Sequence, residues 1–204
     1  MRNLQFLLVL CGFTSCRNAS TKDAIIDNKA TNTTINIDTT VKQKFSAGNT
    51  EYIDFDSVRI NGKLPLITKT TLLYKLLGKP DSIVVPNMDD ICTSFYDKPF
   101  KQAYIKKSDI EIYGDTAVVT SINFESQFSL NLKTKTIRLN HNTTLLELQR
   151  LFPNAVKSQT ELNVYKLGKA VSVSLALSKQ FSDDSWLLLF KNGKLVRIDY
   201  YVPC

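Results

Sequence analysis

The sequence has few of the residues on which most catalytic and metal-binding sites depend. Its 204 residues include one histidine and four cysteines, and two of these cysteines lie within the first sixteen residues. No group of histidines and cysteines has zinc-ligand spacing, and a Ser-His-Asp or Cys-His arrangement would have to use His141. The seven glycines form no phosphate-binding loop. We therefore expect no cofactor, no metal and no catalytic residue.

The remaining candidates for chemistry each have a simpler structural interpretation. His141 lies in Asn140-His141-Asn142, directly before a predicted helix, where a loop residue is the expected role. Asp89-Asp90 and Asp183-Asp184 could supply carboxylates to calcium or to acid–base catalysis. Neither pair has the spaced oxygen ligands of a calcium loop, so we interpret them as carboxylates in turns between strands. A hydrolase or metal-dependent enzyme is the weakest of the functions considered.

Long hydrophobic runs are also absent. The apolar segment 6–10 follows Arg2 and is too short to span a bilayer, which is typical of an export signal. Small residues then lead to Cys16, and this ending resembles the lipobox of bacterial lipoproteins, in which the cysteine is lipidated. We predict a signal peptide over 1–16 and a lipoprotein of the bacterial cell envelope. Its lipid would anchor it to the outer membrane, on the periplasmic or the surface side. Plain secretion is the alternative, and Cys11 is the rival site.

Aromatic residues are missing from the stretch between Arg17 and Phe45, which is rich in Asn, Thr, Lys, Ser and Asp. This composition predicts a flexible polar tether over 17–50 that spaces a globular body from the lipid. The formal charge of +7 is spread along the chain, which indicates solvated strand faces and blunted sheet edges. Attraction to an anionic surface or partner is the alternative. Nucleic acid is not an expected partner of an exported protein.

An internal repeat is the strongest pattern that is present. Thr-Thr-Leu-Leu at 70–73 returns at 143–146, and the helix that each copy predicts is followed by a proline, Pro80 or Pro153. Gly78 can close the first helix. Two turns of helix are too short to be stable alone, so each helix must lie on a sheet. The expected apolar stripes consist of Leu72, Leu73, Leu76 and Leu77 in the first copy and Leu145, Leu148 and Phe152 in the second.

Strand patterns follow each helix. The turn signals Asn61-Gly62, Gly114-Asp115 and Asn192-Gly193 predict hairpins. The run 171–177 alternates apolar and small residues, as in a strand with one buried face. Further strands are predicted over 57–60, 82–85, 93–96, 102–105, 110–113, 117–120, 128–132, 136–139, 162–167, 186–190 and 195–201.

Together these patterns predict an α+β fold of two tandem repeats, over 51–127 and 128–204, each a short helix packed on an antiparallel β-sheet. The helix ending in Leu77-Gly78-Lys79-Pro80-Asp81 and the strand after Asn192-Gly193 resemble the SmpA/OmlA family. Members of that family are small lipoproteins of the outer-membrane β-barrel assembly machinery. The tandem duplication resembles the fold of β-lactamase inhibitory proteins. The resemblance covers 58–201 and implies a protein-binding role, but it transfers no site residue.

Cys92 and Cys204 are the cysteines left in the exported body. An oxidising compartment favours a disulfide between them, which would join the C-terminal residue to the first half. Two buried free thiols or a reactive pair are the alternatives.

Aromatic and basic residues interleave between Phe95 and Lys107. Such a region can stack on sugars and hold phosphates. We therefore take Tyr96, Phe100, Lys101 and Tyr104 as a candidate binding site for a glycan or a lipid headgroup, with inward packing of strand residues as the alternative.

Because no catalytic constellation is present, our first functional hypothesis is a non-enzymatic envelope lipoprotein. It would bind an envelope protein, or assist assembly, through a sheet surface formed across the two halves. A glycan- or lipid-binding module is the alternative.

Overall fold

The structure is a computed structural model of the chain, and it describes residues 51–126, 128–132 and 137–204. The predicted signal peptide, Cys16 and the predicted tether over 17–50 lie outside the described residues. Within the described part of the chain, no helix is long and apolar enough to cross a membrane.

The described chain is a mixed fold dominated by antiparallel strands, with a few short helices. Its first half contains β1 (Val58–Ile60), β2 (Leu64–Pro65), β3 (Ile67–Lys69), α1 (Thr70–Leu77), β4 (Ser82–Val84), β5 (Lys101–Ile105), β6 (Ser108–Tyr113) and β7 (Thr116–Asn123). Its second half contains β8 (Ser129–Leu132), β9 (Arg138–Asn140), α2 (Leu145–Leu151), α3 (Pro153–Lys157), β10 (Thr160–Val164), β11 (Gly168–Ala176), β12 (Ser185–Lys191) and β13 (Lys194–Tyr201).

Two antiparallel sheets organise these strands. The small sheet has the order β2-β1-β8-β9, so two strands of the first half lie beside two strands of the second half. The large sheet has the order β10-β11-β12-β13-β7-β6-β5-β4, and β3 also pairs with β7. The two halves therefore meet twice, at β1 and β8 in the small sheet and at β13 and β7 in the large one.

The main core lies between one face of the large sheet, which we call the inner face, and the layer formed by the helices and the small sheet. Alternate residues of the central strands, such as Ile110, Val119 and Ile198, are fully buried there. Because strand side chains alternate between faces, the residues between them point to the opposite, outer face. A second apolar cluster of Phe100, Tyr113 and Val118 lies on that outer face.

The two predicted helices are confirmed as helices. In α1, however, only Leu73 and Leu77 are buried, whereas Leu72 and Leu76 are each about two-fifths exposed. The predicted stripe is thus half wrong, because a helix this short presents one line of i, i+4 residues to the sheet. In α2 the stripe is correct, and Leu148 and Phe152 are buried.

Proline ends α2, as predicted, but it also begins another helix. Pro153 is the first residue of α3, a position where its missing N–H costs nothing. The Glu51 carboxylate accepts hydrogen bonds from the amides of Asn154 and Ala155 at 3.1 and 2.8 Å, which satisfies two of the free donors of α3. This contact fixes the start of the described chain on the second half of the body.

The strand predicted over 93–96 is wrong. The segment 91–99 is a loop, which we call the 91–99 loop, and Asp97 within it has a positive φ of 51°. The amide of Phe95 bonds a side-chain carboxylate instead of a neighbouring strand. The aromatic side chains of this segment therefore pack against the body, but its backbone does not pair with a strand of the sheet.

Candidate functional site

A row of polar side chains crosses the outer face of the large sheet at the point where the halves meet. Residues directly paired on adjacent antiparallel strands share a face. Tyr104 of β5 pairs with Asp109 of β6, Asp109 pairs with Ser121 of β7, and Ser121 pairs with Asp199 of β13. The row therefore brings two aspartates to either side of one serine.

This row forms part of the floor of a cavity of about 250 Å³, which we call the polar hollow. Three groups of residues line it. The floor comes from the central strands, one wall comes from the 91–99 loop, and another wall comes from the end of β13 and the residue after it. The lining consists of Thr93, Ser94, Phe95, Asp109, Glu111, Thr120, Ser121, Arg197, Asp199, Tyr200, Tyr201 and Val202.

Asp199 is held in a fixed position by its neighbours. Its Oδ1 accepts a hydrogen bond of 2.7 Å from the Ser121 hydroxyl, and its Oδ2 lies 2.8 Å from Nη2 of Arg197. Burial raises the pKa of the Asp199 carboxyl, and the guanidinium of Arg197 and the hydroxyl of Ser121 oppose that rise. The Asp199 carboxylate therefore already has two partners inside the protein, Ser121 and Arg197.

Asp109 is the free carboxylate of the polar hollow. Within the described part of the chain, its side-chain oxygens accept no hydrogen bond and form no ion pair. Burial raises the pKa of Asp109 and the nearby charge of Asp199 raises it further, while Arg197 and Lys166 lower it. A half-buried carboxylate without a partner costs stability, so this position is suited to bind an external donor.

Glu111 supports the wall of the polar hollow. It is 8% exposed, and its Oε2 accepts hydrogen bonds from the amide of Phe95, at 2.9 Å, and from the hydroxyl of Tyr113. Burial and the bond to Glu111 raise the pKa of Tyr113 to about 12. The ring of Phe95 packs on the rings of Tyr200 and Phe55, with centroids 5.1 and 5.6 Å apart. These contacts attach the 91–99 loop to the sheet.

The predicted cysteine pair borders the polar hollow. The Sγ atoms of Cys92 and Cys204 lie 2.03 Å apart, which is disulfide distance. Both residues are exposed. Cys92 directly precedes Thr93 in the loop wall, and Cys204 lies two residues after Val202, so the bond joins the two walls.

The four predicted binding residues are distributed over two places. Tyr96 is 40% exposed and its ring contacts Tyr113, which in turn covers the buried ring of Phe100. Lys101 is exposed at the start of β5. Tyr104 lies in the polar row beside Asp109, and Nζ of Lys166 is 6.0 Å from its ring centroid. A binding role for these residues stays a prediction.

None of the other candidates lines the polar hollow, but the Asp184 carboxylate accepts a hydrogen bond of 2.7 Å from the hydroxyl of Tyr200, which does line it. His141 is exposed in the turn before α2, as predicted for a loop residue. Asp89 and Asp90 lie in a short 3-10 turn, where the side chain of Asn87 donates to Asp90. Among the described residues, no three histidine, cysteine or acidic side chains are grouped so that they could hold a metal ion.

Sequence patterns identified the strands of the polar hollow but not the hollow itself. Asp109, Ser121 and Asp199 carry no motif, and Ser121 and Asp199 are 78 residues apart. The available signal was charge on the strands 108–113 and 194–201, where a predicted strand carries an acidic residue between apolar ones. Register alone brings these residues together.

Comparison with protein-family models, with curated proteins and with solved structures finds no match to this chain. The resemblance to the SmpA/OmlA family stays a prediction.

Proposed function

We propose that the protein is a non-enzymatic envelope lipoprotein that binds a protein partner through the polar hollow. In this proposal a basic side chain of the partner enters the hollow and pairs with Asp109. The observation that carries it is the unpaired Asp109 carboxylate, held between Ser121 and Tyr104 on an accessible sheet face.

Charge complementarity supports a basic group as the occupant. The lining carries three carboxylates, on Asp109, Glu111 and Asp199, and one guanidinium, on Arg197, in a chain whose formal charge is +7. Arg197 is already paired with Asp199. A local acidic excess in a basic protein attracts a cation, and the low dielectric of a half-buried site strengthens the pair.

The element order supports the further proposal that the body is a tandem duplication. In both halves short strands and a helical segment precede four strands: β1 to β3 and α1 in the first half, and β8, β9, α2 and α3 in the second. The large sheet reads β10 to β13 and then β7 to β4. The polar hollow would then lie at the junction of two related units. Lipidation at Cys16 and a tether over 17–50 would hold it at the membrane surface.

The test is capture of envelope proteins by matched variants of the full-length chain. Asp109→Asn keeps the shape of the side chain and removes its charge. Asp115→Asn makes the same change at an exposed turn outside the hollow. We expect the wild type and Asp115→Asn to capture the same partner in equal amounts. Asp109→Asn should capture at least about tenfold less of it, because a buried charge pair loses one member. Equal capture by both variants would reject the polar hollow as the binding site.

One observation favours the glycan- or lipid-binding alternative. Nζ of Lys98 lies 5.0 Å from the ring centroid of Tyr96 and 5.2 Å from that of Tyr113. A cation beside an exposed aromatic ring can hold an anionic sugar or a phosphate headgroup. Tyr96→Ala should abolish binding to anionic glycans or vesicles under this alternative, and should leave partner capture intact under the first proposal.

A further inference from the structure

The disulfide between Cys92 and Cys204 lies beside the polar hollow. Both cysteines lie outside the strand ladders: Cys92 is in the 91–99 loop, and Cys204 follows the last ladder pair of β13, Ser185 with Tyr201. Thr93, which follows Cys92, lines the polar hollow, and so does Val202, two residues before Cys204. The bond thus links the two walls of the site.

The other contacts that hold the loop wall are few. Two loop amides bond the sheet, Phe95 to Glu111 at 2.9 Å and Tyr96 to the Tyr113 hydroxyl at 3.4 Å. The rings of Phe95 and Tyr96 pack on rings of the body, and Ile91 packs beside the outer-face cluster. No residue of 91–99 is fully buried. Segments with few buried contacts open locally at low cost. The strands beneath the loop are paired on both sides, β6 with β5 and β7, and β7 with β6, β13 and β3, so the pairing of the floor does not depend on the wall.

We propose that the Cys92–Cys204 disulfide is a redox-operated latch on the polar hollow. In the oxidised protein it keeps the 91–99 loop and the C-terminal residues over the edge of the cavity. In the reduced protein the 91–99 loop and the residues after β13 come away and the face carrying Asp109 opens, while the large sheet, including β13, stays folded. As a control on binding, the latch rests on the proposed function; as a structural device, it can be tested without a partner.

The chemistry requires a dithiol reductant, such as a protein with two neighbouring cysteines. Its thiolate attacks Sγ of Cys204, the Sγ–Sγ bond breaks, and Cys92 leaves as a thiolate. The second thiol of the reductant then displaces Cys204 and closes the reductant's own disulfide. Two electrons and two protons pass to the protein, which ends with two thiols. Exposure of both cysteines gives the reductant access.

Hydrogen exchange of the full-length chain, followed by mass spectrometry, tests the latch directly. After treatment with dithiothreitol we expect at least tenfold faster exchange in peptides of 91–99 and unchanged exchange in peptides of 108–123. The double variant Cys92→Ser/Cys204→Ser should show the fast loop exchange with and without dithiothreitol. Unchanged loop exchange would overturn the proposal. Faster exchange over 108–123 would also overturn it, because the disulfide would then stabilise the whole fold and not only the loop.

Carboxyl labelling measures whether the latch controls access to the cavity. A carbodiimide with glycine ethyl ester should modify Asp109 several times faster in the reduced protein, and should modify the exposed Asp115 at the same rate in both forms. Equal rates at Asp109 would mean that the bond does not gate the hollow. Because no partner is used, this result is independent of capture by Asp109→Asn: a working latch with no partner would reject only the proposed function.

Discussion

Asp109 and Asp199 lie on either side of Ser121 in one row across β6, β7 and β13. The single hydroxyl donates to Asp199 at 2.7 Å, so Asp199 is satisfied and Asp109 is not. Both carboxyls have a raised pKa, first because of burial, and Asp109 is raised further by the charge of Asp199. The partial burial of the Asp109 carboxylate without a hydrogen bond from any described residue therefore costs stability.

Replacing Asp109 with asparagine should make the protein more stable at neutral pH. A pKa raised above the ordinary value of 3.8 means that folding disfavours the charged form. The wild type is therefore penalised as the pH rises through the folded pKa, and the penalty is absent below 3.8. Lys166 and Arg197 reduce this penalty without removing it. Urea unfolding at pH 3.5 and pH 7, followed by fluorescence of the sole tryptophan, Trp186, measures the difference.

The matched control is Asp115→Asn, which lies at an exposed turn. We expect its stability to stay within about 0.5 kcal/mol of the wild type at both pH values. If Asp109→Asn is less stable than the wild type at pH 7, the carboxylate has an internal partner and is not available to a ligand.

Local patterns were enough to predict the helices and the main hairpins. The leucines of 70–77 and 145–151 and the turns at Gly114 and Gly193 act over a few residues, and the structure has a helix or hairpin at each. Counting the cysteines favoured a Cys92–Cys204 disulfide and left two free thiols or a reactive pair as alternatives, and the structure has the two sulfur atoms at disulfide distance.

The features that the sequence did not predict, the loop at 93–96 and the polar hollow, depend on contacts between residues far apart in the chain. The aromatic run 93–96 has the composition of a strand, but Phe95 bonds Glu111, sixteen residues away, and packs on Phe55 and Tyr200. The polar hollow likewise needs the pairing of β7 with β13, which no local pattern specifies. Such residues are predictable as polar or apolar, but their partners depend on strand order.

Replacing Phe95 with alanine should detach the 91–99 loop and destabilise the protein. The half-buried ring contacts Phe55 at 5.6 Å and Tyr200 at 5.1 Å. Loss of these contacts should cost about 2 kcal/mol, less than full truncation of a buried phenylalanine. Chemical denaturation gives the value. Tyr165→Ala, at a position 82% exposed, should cost less than about 0.5 kcal/mol, and equal effects of the two changes would show that the loop is not anchored by its ring.

The two Thr-Thr pairs of the repeat should respond differently to alanine. Thr144 is the N-cap of α2, where its hydroxyl accepts from the Glu147 amide at 3.2 Å and the Glu147 carboxylate accepts from the Thr144 amide at 2.8 Å. Thr71 lies inside α1, which has no side-chain cap. Thr144→Ala should cost about 1 kcal/mol, whereas Thr71→Ala should be neutral or slightly stabilising, since alanine favours the helix.

The pH dependence of this cap provides a second check in the same unfolding experiments. The amide of Thr144, and then its hydroxyl, lower the pKa of Glu147 below 4.5. A lowered pKa gives stability above the ordinary value that is lost as the pH falls. The difference between the wild type and Thr144→Ala should therefore shrink below pH 4.5. A difference that is constant from pH 7 to pH 3 would mean that the Thr144 hydroxyl does not bond the Glu147 carboxylate, because the bond from the Thr144 amide is present in both proteins.

Replacing Tyr113 with phenylalanine should make the free energy of unfolding fall less steeply as the pH rises above 10. The pKa of Tyr113 is raised from 10.0 to about 12, so its contribution is complete below pH 10 and is lost as the pH rises through 12. At pH 8 the variant should be less stable by about 1–3 kcal/mol, because buried Glu111 loses a donor. Between pH 10 and 12 its stability should fall less steeply than that of the wild type. Tyr165→Phe, at an exposed ring, should keep the wild-type slope, and an unchanged slope in Tyr113→Phe would mean that the bond to Glu111 does not hold the wall of the hollow.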